Sequence, residues 1–544
     1  MAATKPPFFG LRGTRLDVAI AIVAGVDMLL FGYDQGVTGG LLTLPSFTSV
    51  FPEICTTHEC TSQMTPSEKH NRSVIQAQLT TAGIVVSAFS LGCFVGTIAL
   101  IKLGNPLGRK KTIIYGCAVM LVGAVLQFSA YGLAQFIIGR IICGLGNGFI
   151  TAIVPVWQAE CSKPHRRGLT IAFDMGLNLG GVMIAYWVDF GMSFTEPSSI
   201  AWRFPIALQV VFELFIIASI WNLPESPRWL VLQDRVNEAS EVLEALYDVP
   251  ADDPIVHSQL QAIRGVQAAT TTKFKEVFRM GSTKNFHRSA LAYWIMVLQQ
   301  LTGINVITYY STTIYEQEIG LSPYIARLLA GCTATVYFLS SIPALWTMER
   351  LGRRTLLMSG SAGMMVSMVI MGVMMQISGS RAAGIVAAAF IFIYQFFFAS
   401  TWSPASWIYP AEIVPLSIRV QANALSVSAN WLVAFMVVMV TPIMFQSISW
   451  KTYIVFAVFN FLTVPVIYFL YPETAYRSLE EMDVIFAKSN SPLDVVSIAK
   501  NEPKHFDKNG NMIHDMGADM EKAVLGGVGS ENRKNEVAET AHVE

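Results

Sequence analysis

The chain has 544 residues, of which 53% are hydrophobic and only 14% charged, and its mean hydropathy is +0.48. A soluble domain carries about 25% charged residues, so a single soluble core cannot absorb this much apolar surface. The formal net charge of −1 offers no basic excess to neutralise phosphates, which excludes nucleic acid as a partner. Seven cysteines without CxxC or Cys/His spacing predict no zinc site or other metal centre.

Apolar stretches long enough to cross a lipid bilayer recur along the chain. A span needs about 20 mostly apolar residues, because only a helix satisfies its own backbone in hydrocarbon. About twelve stretches meet this length, which predicts an all-α membrane protein. The predicted spans are 17–42, 74–101, 112–131, 134–156, 169–190, 204–223, 290–315, 324–348, 356–377, 382–408, 422–444 and 452–470.

The spans fall into two groups of six, separated by a polar segment. The segment has apolar residues at helical spacing, for example Val236, Ala239 and Val242, and is predicted to form amphipathic helices. After about residue 489 the chain becomes rich in Lys, Glu, Asn and Gly, which predicts a largely disordered tail. The predicted regions are an N-terminal segment (1–16), a first half (17–223), a helical linker (224–287), a second half (288–471) and a tail (472–544).

Basic residues mark one side of the predicted membrane. They concentrate in alternate loops, which places these loops, the linker and both termini in the cytosol. The longest opposite loop contains Cys55, Cys60 and the sequon that begins at Asn71. Glycosylation of Asn71 and a small disulfide between the two cysteines both suit an outer face. The basic loop residues are Arg12, Arg15, Lys102, Arg109, Lys110, Lys111, Lys163, Arg166, Arg167, Arg350, Arg353, Arg354 and Arg419.

Three cytosolic motifs of the first half recur in the second at an offset of about 250 residues, which is typical of an internal repeat. Each motif combines glycine, proline or acidic residues with a basic residue. The pairs are 107–111 with 351–354, Gln158-Ala159-Glu160 and Arg166-Arg167 with Pro410-Ala411-Glu412 and Arg419, and 224–228 with 472–477.

These motifs, in this order, resemble the sugar porter family of the major facilitator superfamily, and the loop lengths resemble those of a fungal monosaccharide transporter. The resemblance implies the major facilitator fold, a sugar substrate, a plasma-membrane location and function as a monomer. Its other supporting segments are 31–34, Gly139-Arg140, 299–305, 349–354 and Asn430-Trp431.

Side-chain amides near Gly303 are candidate sugar ligands. A sugar hydroxyl that leaves water needs replacement hydrogen bonds, and an amide offers both donors and acceptors. Gln299, Gln300 and Asn305 surround a glycine that can interrupt the helix. From spacing alone, these amides could equally bond neighbouring helices. The resemblance implies that they contact sugar together with Asn430.

Aromatic residues complete the expected sugar site. The resemblance places Trp407 and Phe31 against the sugar ring and assigns Tyr309 and Tyr310 to an outer gate. Aromatic rings supply an apolar face for such packing. Plain packing inside the bundle remains the alternative for each of them.

Asp34 is the candidate proton carrier. A carboxylate inside a span is costly and usually marks a proton or ion path. Arg140, in the fourth span, is the candidate cation that switches Asp34 between protonated and ionised states. A permanent structural ion pair is the alternative. In the proton-coupled members of the family that this chain resembles, an aspartate at this position carries the proton.

Charged residues of the repeated cytosolic motifs are expected to form ion pairs between the two halves and to act as an inner gate. Their basic members could instead serve only to orient the protein in the membrane. The predicted gating residues are Glu160, Arg167, Arg353, Arg354, Glu412 and Arg419.

Some positions depart from the family pattern. Asn105 and Pro106 replace the usual acidic and basic pair, Met175 replaces a sugar-binding Gln, and Tyr337 replaces an Asn. These changes leave the sugar unidentified. Three functions remain open: proton–sugar symport, facilitative uniport and a transporter-like sugar sensor. No catalytic cluster or phosphate-binding glycine loop is present, so neither an enzyme nor a cofactor is predicted.

Overall fold

The computed structural model describes residues 7–54, 72–162, 167–250, 252–269, 274–281, 283–377, 380–415, 417–477 and 479–502. These ranges are mainly α-helical and contain no β-strand. Cys55, Cys60 and Asn71 lie outside the described residues. The disulfide and the glycosylation site therefore stay predictions.

Six long helices form the N-terminal half, which we define as residues 13–220. Each helix is long because its apolar sequence continues until a loop that contains glycine, proline or charged residues. We call the end where α1 begins the inner end and the end where α1 finishes the outer end. The helices of this half are α1 (Gly13–Leu41), a short α2 (Pro45–Val50), α3 (Arg72–Leu107), α4 (Arg109–Phe128), α5 (Leu133–Cys161), α6 (Arg167–Met192) and α7 (Ile200–Ile220).

The linker forms three helices, α8 (Pro227–Leu232), α9 (Val236–Tyr247) and α10 (Pro254–Ala269), as its spacing predicts. Ala239, Val242 and Leu243 of α9 are buried in one apolar cluster with Leu16 and Ile20 of α1. The linker therefore packs against the inner end of the N-terminal half.

The C-terminal half, residues 285–470, repeats the arrangement with more interruptions. The predicted span 324–348 is broken at residues 340–343, because Pro343 lacks a backbone N–H and cannot continue the preceding helix. The helices are α11 (Asn285–Leu301), α12 (Ile304–Thr313), α13 (Pro323–Leu339), α14 (Ala344–Leu351), α15 (Arg353–Gln376), α16 (Arg381–Phe397), α17 (Ser403–Ile413), α18 (Arg419–Ile448) and α19 (Lys451–Leu470).

Ten helical stretches in the described ranges are long and apolar enough to cross a membrane. Two predicted spans are not among them: 169–190, which corresponds to α6, and 324–348, where α13 has 17 residues. The surface of α7 exposes Val211, Leu214 and Phe215, as expected for a helix that faces lipid. The architecture is that of a multi-pass helical membrane protein.

The tail contains more structure than its composition predicts. α20 (Leu479–Lys488) is followed by α21 (Asp494–Asn501), which lies inside the segment predicted to be disordered. Val495 and Ala499 of α21 are buried, and Arg477 Nη2 donates a hydrogen bond of 3.0 Å to Glu502 O. Burial of this small apolar face offsets the polar composition, so the prediction was wrong for residues 494–501.

Candidate functional site

The predicted sugar-binding amides meet inside the C-terminal half. Gln300 Nε2 donates a 2.6 Å hydrogen bond to Asn430 Oδ1, and Asn305 Nδ2 donates a 2.6 Å bond to Gln300 Oε1. Gln300 thus links α11, α12 and α18. Gln299 is buried beside them, and its Oε1 has no hydrogen-bond partner among the described residues. This oxygen is an acceptor that a sugar hydroxyl could satisfy.

A break in the helix at Gly303 positions these amides. Gly303 has φ of +92°, a left-handed conformation that a residue with a Cβ rarely adopts, and it separates α11 from α12. The carbonyl of Thr302 next to the break accepts a 3.0 Å bond from Tyr394 Oη and a 2.9 Å bond from Asn460 Nδ2. The break is therefore held from two neighbouring helices.

The predicted aromatic contacts lie between the halves. Phe31 packs edge-on against Trp431, with ring centroids 5.3 Å apart. Trp407 is partly buried and packs against apolar clusters of both halves. These side chains bring α1 and the amide-bearing helices of the C-terminal half together near the middle of the bundle.

The structure brings Asp34 and Arg140 near each other without an ion pair. Both side chains are 1% exposed, and the charge of Arg140 acts on Asp34. Asp34 Oδ2 accepts a weak 3.8 Å contact from Cys143 Sγ, whereas Oδ1 has no partner in the described structure. The Arg140 guanidinium lies 4.9 Å from the Phe89 ring centroid and donates a 3.4 Å bond to Val86 O. Arg140 thus has other contacts available to it.

Glu213 is a further buried carboxyl that the motifs did not identify. It lies on α7 with 0% exposure, and neither carboxylate oxygen has a hydrogen-bond partner in the described ranges. It lies one turn from Gln209, whose Oε1 accepts a 3.7 Å contact from Cys143 Sγ, the thiol that also contacts Asp34. A search for acidic residues within predicted spans would have found Glu213, and also Asp27, Asp174 and Asp189.

The outer end is closed by contacts between the halves. Tyr186 Oη donates a hydrogen bond to the Thr308 carbonyl, and Arg327 Nη2 donates a 2.9 Å bond to Thr43 O. The predicted gate residues Tyr309 and Tyr310 are buried next to this closure. Tyr310 Oη donates a 2.9 Å bond to Val438 O within its own half, and the charges of Arg140 and Asp34 act on Tyr309.

At the inner end, the repeated motifs of the N-terminal half form one cluster. Arg109 Nε lies 2.8 Å from Glu160 Oε2, which also accepts a 2.6 Å bond from Ser226 Oγ. Glu225 accepts bonds of 3.1 Å from the backbone N–H groups of Arg109 and Lys110. Burial raises the pKa of the Glu225 carboxyl, and these N–H groups oppose the shift.

The C-terminal half repeats this cluster with equivalent residues. Arg353 Nη2 lies 2.7 Å from Glu412 Oε1, and Thr474 Oγ1 donates a 2.6 Å bond to Glu412 Oε2. Glu473 accepts bonds of 2.8 Å and 3.0 Å from the N–H groups of Arg353 and Arg354. The internal repeat predicted from the sequence is therefore confirmed in three dimensions.

The partners within these clusters differ from the predicted ones. The expected ion pairs join the two halves, whereas Glu160 and Glu412 pair with an arginine of their own half. The reason is local: Gly108 and Gly352 adopt positive φ and start α4 and α15 with the arginine beside the glutamate. Arg419 Nη2 donates a 3.3 Å bond to Val414 O. The side chain of Arg167 lies outside the described residues.

A narrow groove lies between the halves at the inner end. It is bordered by Gly104 of α3, Val156 of α5 and Gln421 of α18, with Arg109 of the N-terminal cluster at its edge. The contacts described above close the outer end, so this groove lies on the side opposite the closure.

Comparisons with known proteins agree with this architecture. The sequence matches the family described as "Sugar (and other) transporter" over residues 19–486. It is 38% identical to the sugar transporter STL1 of Saccharomyces cerevisiae, across 89% of this chain and 84% of that protein. It is also 38% identical to the major facilitator superfamily transporter mfsA of Aspergillus fumigatus, across 88% of each chain.

A solved structure supports the fold. The proton:xylose symporter XylE bound to 6-bromo-6-deoxy-D-glucose superposes with a TM-score of 0.73 and 23% identity, covering 87% of this chain and 100% of that one. The two proteins share the same fold, which is that of the major facilitator superfamily. The match over nearly the whole sequence and the repeated inner clusters lead to one assignment: this chain belongs to the sugar transporter family.

Proposed function

We propose that this protein carries a sugar together with a proton across the plasma membrane by alternating access, as a monomer. The observation that carries the proposal is Asp34, a buried carboxyl with one oxygen that has no partner in the described part of the chain, near an arginine that bonds elsewhere. A carrier without proton coupling has no need of such a costly group. The fold neighbour named above is a proton:xylose symporter, which supports the same function.

The sugar would bind at the amides of the C-terminal half. Its hydroxyls would exchange hydrogen bonds with Gln300, Asn305 and Asn430 and satisfy the free oxygen of Gln299. Trp407 and Phe31 would border the ring. Because these groups come from both halves, closure around the sugar would depend on its presence.

Proton binding would control the position of Arg140. When Asp34 is protonated it is neutral, so Arg140 would keep its contacts with the Phe89 ring and the Val86 carbonyl. These are the contacts seen in this structure, in which the outer end is closed. Loss of the proton toward the inside would create a carboxylate that attracts Arg140. The inner end would face the cytosol, together with the linker and both termini, in accordance with the basic loops.

The test is uptake of radiolabelled D-glucose, D-xylose and other sugars into transport-null cells, with and without a protonophore. One proton moving down about 100 mV and one pH unit releases about 2.3 plus 1.4 kcal/mol, enough for a roughly several hundredfold gradient. We expect accumulation and sugar-induced alkalinisation of the medium in wild type. Asp34→Asn should lose both and retain sugar-for-sugar exchange. Normal transport by Asp34→Asn and no alkalinisation by wild type would identify a uniporter.

A further inference from the structure

Two buried acidic residues of the N-terminal half have no role in the mechanism above. Asp27 of α1 is 1% exposed and Asp174 of α6 is 0% exposed. Asp27 Oδ1 and Asp174 Oδ2 have no hydrogen-bond partner among the described residues, and neither aspartate forms an ion pair with any described cation. Two unpaired carboxyl groups in an apolar interior are too costly to be explained as packing.

The helices that carry them are in close contact at this level. A Cβ on Gly32 would lie 1.8 Å from Asn178 O, and Asn178 Nδ2 donates a 3.3 Å bond to Met28 O. Asp27 is the neighbour of Met28, and Asp174 lies one turn from Asn178 toward the inner end. The two aspartates therefore lie at the same level of the contact between α1 and α6. Side by side, two carboxyl groups favour sharing a proton over both being ionised.

An independent observation comes from Gln158, a neutral side chain near the inner end of α5. It is 1% exposed, and its Nε2 donates a 3.2 Å bond to Asp174 Oδ1. Its own Oε1 has no partner in the described part of the chain. A buried, unsatisfied acceptor next to Asp174 indicates that the site is built to receive a proton donor such as water or a protonated carboxyl.

The positions of these groups form a series from Asp34 to the inner end. Asp27 lies seven residues before Asp34, which places both on one face of α1 about 10 Å apart. On α7, Gln209 Oε1 accepts a 3.7 Å contact from Cys143 Sγ, the thiol that also contacts Asp34, and Glu213 lies one turn further toward the inner end. Asp174 follows, seven residues or about 10 Å from the start of α6.

We propose that Asp27 and Asp174 carry the proton from Asp34 to the inner aqueous phase. The proposal rests on the proton coupling proposed above. One proton leaves the Asp34 carboxyl, is held in turn by the carboxylates of Asp27 and Asp174, and is released to water near Gln158. A proton suits the pair better than a metal ion, since the described residues contain no group of three or more metal-binding side chains.

The groups that face the pair are consistent with proton transfer. Gln158 of α5 donates a hydrogen bond to Asp174, and Cys117 of α4 and Glu213 of α7 are buried in the same half. Arg140 acts on Asp34 at the other end of the series. No described cation contacts the pair, so a proton held there is not displaced by a neighbouring positive charge.

The experiment compares Asp27→Asn and Asp174→Asn with wild type in the full-length transporter, using radiolabelled D-glucose or D-xylose. Sugar-for-sugar counterflow needs no net proton release and should stay within about twofold of wild type. Accumulation and sugar-induced alkalinisation should fall by at least about tenfold, because loss of a proton-transfer group typically costs about 10²-fold or more. Asp27→Glu should restore coupling. Asp17→Asn, the same chemical change at the inner end of α1, is the matched control.

Each other result overturns the proposal in a distinguishable way. If both variants accumulate sugar normally while Asp34→Asn does not, Asp27 and Asp174 are not on the path and the proposed function stands. If counterflow is lost along with accumulation at equal surface expression, the pair is structural. If wild type accumulates sugar only with Na⁺ in the medium, the pair holds a cation. If wild type shows no sugar-induced alkalinisation, proton coupling fails and this proposal fails with it.

Discussion

Gln299 and Gln300 are adjacent in sequence but should respond differently to replacement by alanine. Gln300 makes two hydrogen bonds of 2.6 Å, whereas the Oε1 of Gln299 makes none among the described residues. Gln300→Ala strands a donor of Asn305 and an acceptor of Asn430, each at a cost of about 1–3 kcal/mol. Gln299→Ala strands neither of these groups.

The two variants should therefore separate affinity from stability. Loss of one hydrogen bond to sugar in a buried site costs about 1–3 kcal/mol, so the KM of Gln299→Ala should rise roughly five- to 150-fold. Its melting temperature should match that of wild type. Gln300→Ala should show both a raised KM and a melting temperature lower by several degrees.

The assay combines initial rates of sugar uptake with thermal melting followed by size-exclusion chromatography of the detergent-solubilised protein. Gln395→Ala is a matched control, because Gln395 is also buried, has an unpartnered Oε1 in the described structure, and lies on α16, which carries none of the candidate sugar-binding amides. It should leave KM unchanged. An unaltered KM for Gln299→Ala, or a loss of stability equal to that of Gln300→Ala, would refute the assignment of Gln299 as a sugar ligand.

Three further predictions concern packing, topology and the inner clusters. Gly32→Ala should reduce surface expression, measured by flow cytometry, because its Cβ would lie 1.8 Å from Asn178 O and the helices would have to separate by roughly 1 Å or more. Ser73→Cys should react with a membrane-impermeant maleimide in intact cells; reaction only after permeabilisation would reverse the proposed orientation. Glu412→Gln should lower stability by about 1 kcal/mol, since Glu412 is 26% exposed and pairs with Arg353. A double-mutant cycle with Arg353→Gln measures the coupling, and additivity of the two changes would contradict the pair.

The sequence predicted the features of this fold that are encoded locally. Apolar runs of span length and the helical spacing of Val236, Ala239 and Val242 depend only on neighbouring residues, so helices appear there as expected. The repeat was visible because the same turn chemistry recurs around Gly108 and Gly352. The break at Pro343 was missed because the mean hydropathy of a whole span changes little when one of its residues is a helix-breaking proline.

Side-chain partners were harder to predict, because they depend on which helices become neighbours. Arg109 and Glu160 are 51 residues apart and meet only when α4 and α5 pack together. The sequence predicted that both residues lie at one side of the membrane, but not that each glutamate pairs within its own half. For the amides, the sequence identified the residue types, and the structure added that Gln300 is satisfied whereas Gln299 retains a free acceptor.

The distribution of polar groups restricts how sugar and proton movement could be linked. The bonded amides all belong to the C-terminal half, whereas Asp34, Arg140 and Glu213 belong to the N-terminal half. In the proposed symport, sugar binding in one half must therefore be coupled to proton binding in the other through the interface between the halves. Phe31 is three residues from Asp34 on α1 and packs against Trp431, the neighbour of Asn430. This contact offers a packing route between the two sites.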